Sequence, residues 1–299
     1  MNASKAGGNI WAAFVVPAAF VLLWSTGWIV ARFISEDSDA LTILVLRYAC
    51  ASTLLAIFAF ASGALWPQSR EEIGHAFASG ILIHGLYLAG VWWAVGHGIP
   101  ASISALLAAL QPIFTAILAP QLAGERVSPV QWAGIGLGFT GIVMVLAPKL
   151  ISVDTEAFSG MVWLLLINTG GMISLTLGTF YQKRFLYGGD LRSVACLQFL
   201  GAGLFTLPLA ILFEDMRIGT STSTLLSLAW SVIALSIVSI ALLLFLLRRG
   251  EVARSAQLIY LVPPVAALQA YFFFQETLIA PQIAGMLITS IGVALAVRR

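Results

Sequence analysis

Ten uninterrupted apolar runs pattern this chain, and they constrain its fold more than any other feature. They fall near residues 10–33, 40–62, 76–96, 101–121, 129–147, 160–182, 193–213, 225–247, 255–274 and 280–297. Each has roughly the 20 residues that a helix needs to cross the hydrocarbon of a bilayer. The runs are continuous, without the strict alternation of a membrane β-barrel, so they read as helices whose backbone polar groups are satisfied internally. Charged residues make up only 9% of the chain, against ~25% in a typical soluble domain. So little charge cannot cover a water-facing surface, which excludes a soluble enzyme, a nucleic-acid binder and a disordered chain. The expectation is an all-α membrane protein of ten transmembrane helices. The first run is about twice the length of a signal-peptide core and no A-x-A-like site follows it, so it reads as a retained span.

The basic residues set the orientation. With the N-terminus in the cytoplasm, eleven Lys and Arg face inward (Lys5, Arg70, Arg126, Lys183, Arg184, Arg192, Arg248, Arg249, Arg254, Arg298, Arg299) and three face outward (Arg32, Lys149, Arg217). That bias follows the positive-inside rule and predicts cytoplasmic termini. Trp11, Trp66, Trp92, Trp93 and Trp132 lie near helix ends and mostly read as interfacial anchors. Cys50 and Cys196 sit in apolar runs and read as small core residues, with no disulfide expected.

The two halves match each other at an offset of 151 residues. Gly27 pairs with Gly178, Asp39 with Asp190, Leu46-Arg47-Tyr48 with Leu197-Gln198-Phe199, and Glu125 with Glu276. Gln131, Gly134 and Gly141 pair with Gln282, Gly285 and Gly292. Between these blocks the offset becomes 152, aligning Ala101 with Ala253 and Pro112 with Pro264. Two five-helix repeats follow, over 1–150 and 151–299. Five is odd, so the second repeat enters the membrane from the opposite side. Inverted repeats of this kind are a transporter architecture.

These residues resemble the drug/metabolite transporter superfamily, in particular its ten-helix EamA-type exporters. The resemblance spans nearly the whole chain. It rests on Leu23 to Gly27 of helix 1, on Pro112 and Pro263-Pro264, and on the Gly-Glu-Arg (124–126) and Gln-Glu-Thr (275–277) turns. The Gln-x-Ala-Gly starts at 131–134 and 282–285 complete it. Within the superfamily the chain is similar to the YddG-type exporters. That similarity implies export of amino acids, aromatic ones included, across a bacterial cytoplasmic membrane.

The interior chemistry is sparse. No Asp or Glu lies in the middle of a span, and a buried carboxylate is the usual carrier of a coupling ion. Its absence predicts facilitated transport, or coupling through a histidine, rather than carboxylate-based coupling, and with basic groups just as scarce the substrate is expected to be neutral or zwitterionic. Arg47 is the one intramembrane basic group. It has two readings, an arginine reaching the outer interface or a carboxylate partner and gate. His84 is the one titratable group deep in helix 3, either a structural histidine or a cavity-lining donor or proton carrier. The candidate substrate-binding residues are Trp24, His84, Tyr87, Ser104, Trp163 and Tyr260. His and Tyr would donate to a carboxylate, and aromatic faces or carbonyls freed by Pro112 and Pro264 would receive an ammonium. Asn168 is polar and deep, so it should face protein or cavity. The cavity is expected between helices 1, 3, 4, 6, 8 and 9, with the glycine-bearing helices 5 and 10 as scaffold. Neither a metal-ligand cluster nor a nucleophile constellation is visible, so no enzyme activity, metal or cofactor is expected. The partners are a small-molecule substrate and the bilayer, without nucleic acid; a monomer is the first reading and a dimer the alternative. An exporter of other neutral metabolites or drugs, or a channel, is the rival function.

Overall fold

A computed structural model describes residues 15–124, 127–151, 155–239, 241–242, 262–276 and 278–296. Among the described residues ten helical rods overlap the ten apolar runs: α1 Val16–Ile34, α2 Ala40–Ala61, α3 Arg70–Gly96, α4 (Ala101–Leu107 and Leu110–Ala123), α5 Pro129–Ile151, α6 Thr155–Phe185, α7 Leu191–Phe213, α8 Thr222–Val238, α9 Val262–Phe274 and α10 Ala280–Ala296. No strand occurs among the described residues. Five of the rods are individually long and apolar enough to cross a membrane, and shorter apolar helices supply the rest.

Local chemistry sets the ends. Ser69 and Glu72 form a capping box at the start of α3. Gly124 ends α4 in the left-handed region, at φ 68°, where a side chain would be strained. The two repeated glutamines do the same work in each half. Gln131 Oε1 accepts from the Ser128 N–H at 2.7 Å, and Gln282 Oε1 accepts from the Ile279 N–H at 3.1 Å. Each satisfies a backbone donor that a helix start leaves without an intrahelical partner. α4 is interrupted at Ala108 and Ala109, one turn before Pro112, a residue with no backbone N–H to donate.

The packing follows the repeat. α2 lies against α7, α4 against α9 and α5 against α10, so each of these helices meets its own repeat mate. Off this axis, α1 packs on α8 and α9 while its mate α6 packs on α3 and α4. This is the arrangement that a two-fold between the halves requires. The α5–α10 seam shows why the repeated glycines recur. A Cβ on Gly285 would stand 2.6 Å from the Gly141 carbonyl oxygen, and one on Gly292 would strike the Gly138 backbone. These glycines join α5 and α10 to each other within the chain, in the manner of small-residue helix contacts.

The mates α3 and α8 share a second feature. Each contains a π-helical segment, Ile81–Leu86 in α3 and Ser231–Val238 in α8, at equivalent repeat positions. The wider turns leave carbonyls that hydroxyls occupy. Tyr48 Oη donates to the His84 carbonyl and Ser174 Oγ to the Leu82 carbonyl, both at 2.9 Å. In α8, Ser236 and Ser239 donate to carbonyls five residues back, at 3.1 and 3.0 Å.

Cys196 is buried as expected, but Cys50 is exposed, on a face of α2 that a bilayer would cover. Trp92 is also not an interfacial anchor; it is 1% exposed, inside the main core.

Candidate functional site: a central cavity with one buried guanidinium

Between the repeats lies a cavity with two adjoining lobes of about 200 and 260 Å³. Trp24, Trp28, Ile83, Tyr87, Leu175 and Gln182 border both lobes. The first lobe runs from Trp92, near the C-terminal end of α3, to Leu191, the first residue of α7. The second reaches Gln111 on α4, Pro263 on α9 and Thr289 and Ser290 on α10. Such a lining, apolar with a few polar groups at fixed positions, is that of a small-molecule site.

The sequence candidates separate into three groups. Trp24, His84 and Tyr87 meet on the cavity wall. The His84 ring stacks on Phe199 with centroids 4.3 Å apart, and Trp24 packs on Phe20 at 5.3 Å. Ser104 stands behind the wall. It is fully buried and accepts a 2.5 Å hydrogen bond from Asn168 Nδ2; this joins α4 to α6. Trp163 is separated from them: it is 61% exposed and borders neither lobe. Helix phase explains this. The inward face of α6 carries Asn168, Leu175, Thr179 and Gln182, and Trp163, five residues before Asn168, points about 140° away from it. Tyr260 lies outside the described residues.

The cavity also has walls that the sequence reading left out. α10 borders the second lobe, and α2 and α7 border the first through Arg47 and Gln198. Arg47 is only 5% exposed. Its guanidinium lies over the Trp92 ring, 5.4 Å from the centroid, and Nε and Nη2 each donate to Ser236 Oγ at 3.4 Å. No carboxylate pairs with it among the described residues. Gln198, its repeat mate, donates through Nε2 to Ser79 Oγ at 2.9 Å and to Gln182 Oε1 at 3.2 Å.

The described acids instead sit at helix ends. Glu214, after α7, caps the start of α2: it accepts from the N–H groups of Leu41 and Thr42 at 2.9 and 2.8 Å. Glu276, after α9, caps the start of α4 through the N–H groups of Ala101 and Ser102 and the Ser102 hydroxyl, at 3.2, 3.1 and 2.6 Å. Each staple joins a pair of repeat mates at the same end of the molecule. Asp39 pairs there with Arg217 at 2.9 Å, and its carboxyl is held below the usual range. Burial opposes that shift, and the hydrogen bonds from Arg217 override it. At the opposite end Asp190 pairs with Arg192 at 2.6 Å, which pulls its carboxyl down to about 2. Among the described residues no His, Cys, Asp and Glu cluster is suited to a metal ion.

A cavity enclosed by two membrane-type repeats is the construction of a transporter, and comparison with known proteins gives the same class. The EamA-like transporter family model matches twice, over residues 9–147 and 160–298. The chain belongs to that family. It is 25% identical to the uncharacterized inner membrane transporter YedA of Escherichia coli K12, over 87% of this chain and 82% of that one. It is likewise 25% identical to a probable amino-acid metabolite efflux pump of Salmonella typhimurium LT2, over 91% of this chain and 90% of that one. A solved crystal structure superposes with a TM-score of 0.66 at 18% identity, covering 95% of this chain and 96% of the other; at that identity the likeness is one of fold.

Proposed function

We propose that the protein exports amino acids and related small carboxylate-bearing metabolites across a bacterial cytoplasmic membrane by alternating access, with both termini cytoplasmic. The observation that carries this reading is Arg47. A buried cation without an acidic partner is costly to keep, and a cavity wall is where an incoming carboxylate can pair with it. Trp24, His84 and Tyr87 supply aromatic surface and donors beside it. The names of relatives, among them a probable terminal-alkyne amino-acid exporter and probable amino-acid metabolite efflux pumps, favour the same substrate class.

With the N-terminus inside, the Glu214 and Glu276 staples fall at the outer end, and the first lobe reaches Leu191 at the inner end. This is an inward-facing arrangement. Outward opening then requires Glu276 to release α4. No acid borders either lobe among the described residues, which favours a facilitator over an ion-coupled pump.

The test is efflux of a labelled amino-acid panel from proteoliposomes, with and without a pH gradient. Saturable flux that related amino acids compete for, and that a gradient does not drive uphill, is the expected result. Flux linear in concentration would make the protein a channel, and uphill accumulation driven by protons would reject the facilitator. For orientation, an impermeant thiol reagent on intact cells should label Glu36→Cys and spare Gln68→Cys, both in exposed loops.

A further inference from the structure

The cavity is unbalanced in charge, and this refines the substrate class. Arg47 contributes a fixed positive charge that borders the first lobe. Among the described residues its contacts are a neutral hydroxyl at 3.4 Å and the Trp92 ring, with no carboxylate. The described acids that are paired or capping, Asp39, Asp190, Glu214 and Glu276, are engaged at helix ends. A carboxylate entering the lobe therefore gains a charge-assisted partner in a desolvated setting. An ammonium on the same molecule is repelled by Arg47 and, among the described residues that border the cavity, finds only neutral acceptors. A buried charge without an opposite partner is penalised, so the zwitterion loses on one end what it gains on the other.

We propose that this site prefers small apolar monocarboxylates without an α-ammonium, that is 2-hydroxy, 2-oxo or N-acyl acids, to the amino acids that share their side chains. The proposal rests on the reading of the central cavity as the transport site, and it deepens that reading. One consequence is that the chain exports the acids formed when an amino acid is deaminated or its nitrogen is acylated. The apolar body of such a molecule lies against Trp24, Trp28 and Leu175, which both lobes share.

The test uses the full chain in proteoliposomes, with counterflow of labelled L-phenylalanine and of labelled 3-phenyllactate at neutral pH. Unlabelled L-phenylalanine, 3-phenyllactate and 2-phenylethylamine serve as competitors. We expect 3-phenyllactate to compete at a concentration lower than phenylalanine by about tenfold or more, the scale of one desolvated charge contact, and 2-phenylethylamine not to compete. Arg47→Gln should abolish this preference, and Arg47→Lys should keep it with weaker affinity. Melting curves of the purified variants establish that they are folded; if Arg47→Gln does not fold, Arg47→Lys and the competitor ratio on the unmodified chain decide the matter. Phenylalanine transported as well as or better than 3-phenyllactate would overturn this proposal alone. Absence of saturable counterflow for both would overturn the transport site as well.

Discussion

α2 and α7 are mates in the repeat and pack against each other on its axis, yet they face the cavity with different chemistry. α2 presents Arg47, with Tyr48 buried behind the wall; α7 presents Gln198 and Phe199 at the equivalent positions. The surroundings differ accordingly. Trp92 and Ser236 stand against Arg47, whereas Ser79 and Gln182 stand against Gln198. Gln198 is held in a neutral hydrogen-bonded network within the protein, and Arg47 has spare bonding capacity. A symmetric frame thus carries an asymmetric site: the frame serves the exchange of conformations, and the asymmetry serves recognition.

The largest expected effect comes from breaking the charged side. Arg47→Gln should lower saturable transport by about 10- to 100-fold, because a hydrogen bond to a charged group contributes ~1.5–3 kcal/mol. Gln198→Leu removes a neutral bond and should lower it only about fivefold, for a net loss near 1 kcal/mol. Initial rates at equal reconstituted amounts separate the two. The double exchange Arg47→Gln with Gln198→Arg should not restore activity, since Trp92 and Ser236 serve only the α2 side. Recovery to the original rate would mean that the charge, wherever it sits, is all that matters.

A smaller effect contrasts the mates Asp39 and Asp190, which precede α2 and α7. Both carboxyls are held low by an arginine. A folded value below the unfolded one gives stability that is present above the unfolded pKa and lost as pH falls through the folded one. For Asp190 the window runs from the ordinary 3.8 down to about 2. The melting temperature of Asp190→Asn should therefore lie slightly below that of the unmodified chain at neutral pH. The gap should close as pH drops through that window, and thermal scans at several pH values measure it. The smallest effect is expected at Trp163 and Trp132, both exposed: alanine at either should leave transport within about twofold, as surface changes usually do in stability.

The spans were readable because the bilayer leaves a chain no choice: runs of ~20 apolar residues have to be helices there. The repeat was readable because its signature residues do local work twice. Gln131 and Gln282 cap helix starts, and Gly134, Gly141, Gly285 and Gly292 let α5 meet α10. Arg47 was harder to place because α2 is apolar all round, and such a helix carries no periodic stripe from which to read its phase. The same lack of phase put Trp163 among the site candidates and hid Trp92, whose position near a helix end suggested an anchor. The π-helical turns of α3 and α8 have no signature in composition; they show only once Tyr48 and Ser174 are seen to fill carbonyls of α3, and Ser236 and Ser239 those of α8.

The central claim is that substrate sits in the cavity between the repeats, and cysteine protection tests it directly. In a Cys50→Ala, Cys196→Ala background, Leu175→Cys places a thiol on the wall shared by both lobes. Leu177→Cys places one on an exposed face of the same helix. The alkylation rate of each is measured in proteoliposomes with and without saturating 3-phenyllactate or phenylalanine. The account predicts slowing at position 175 and no change at position 177. Equal rates at position 175 with and without a substrate that the protein demonstrably transports would contradict it.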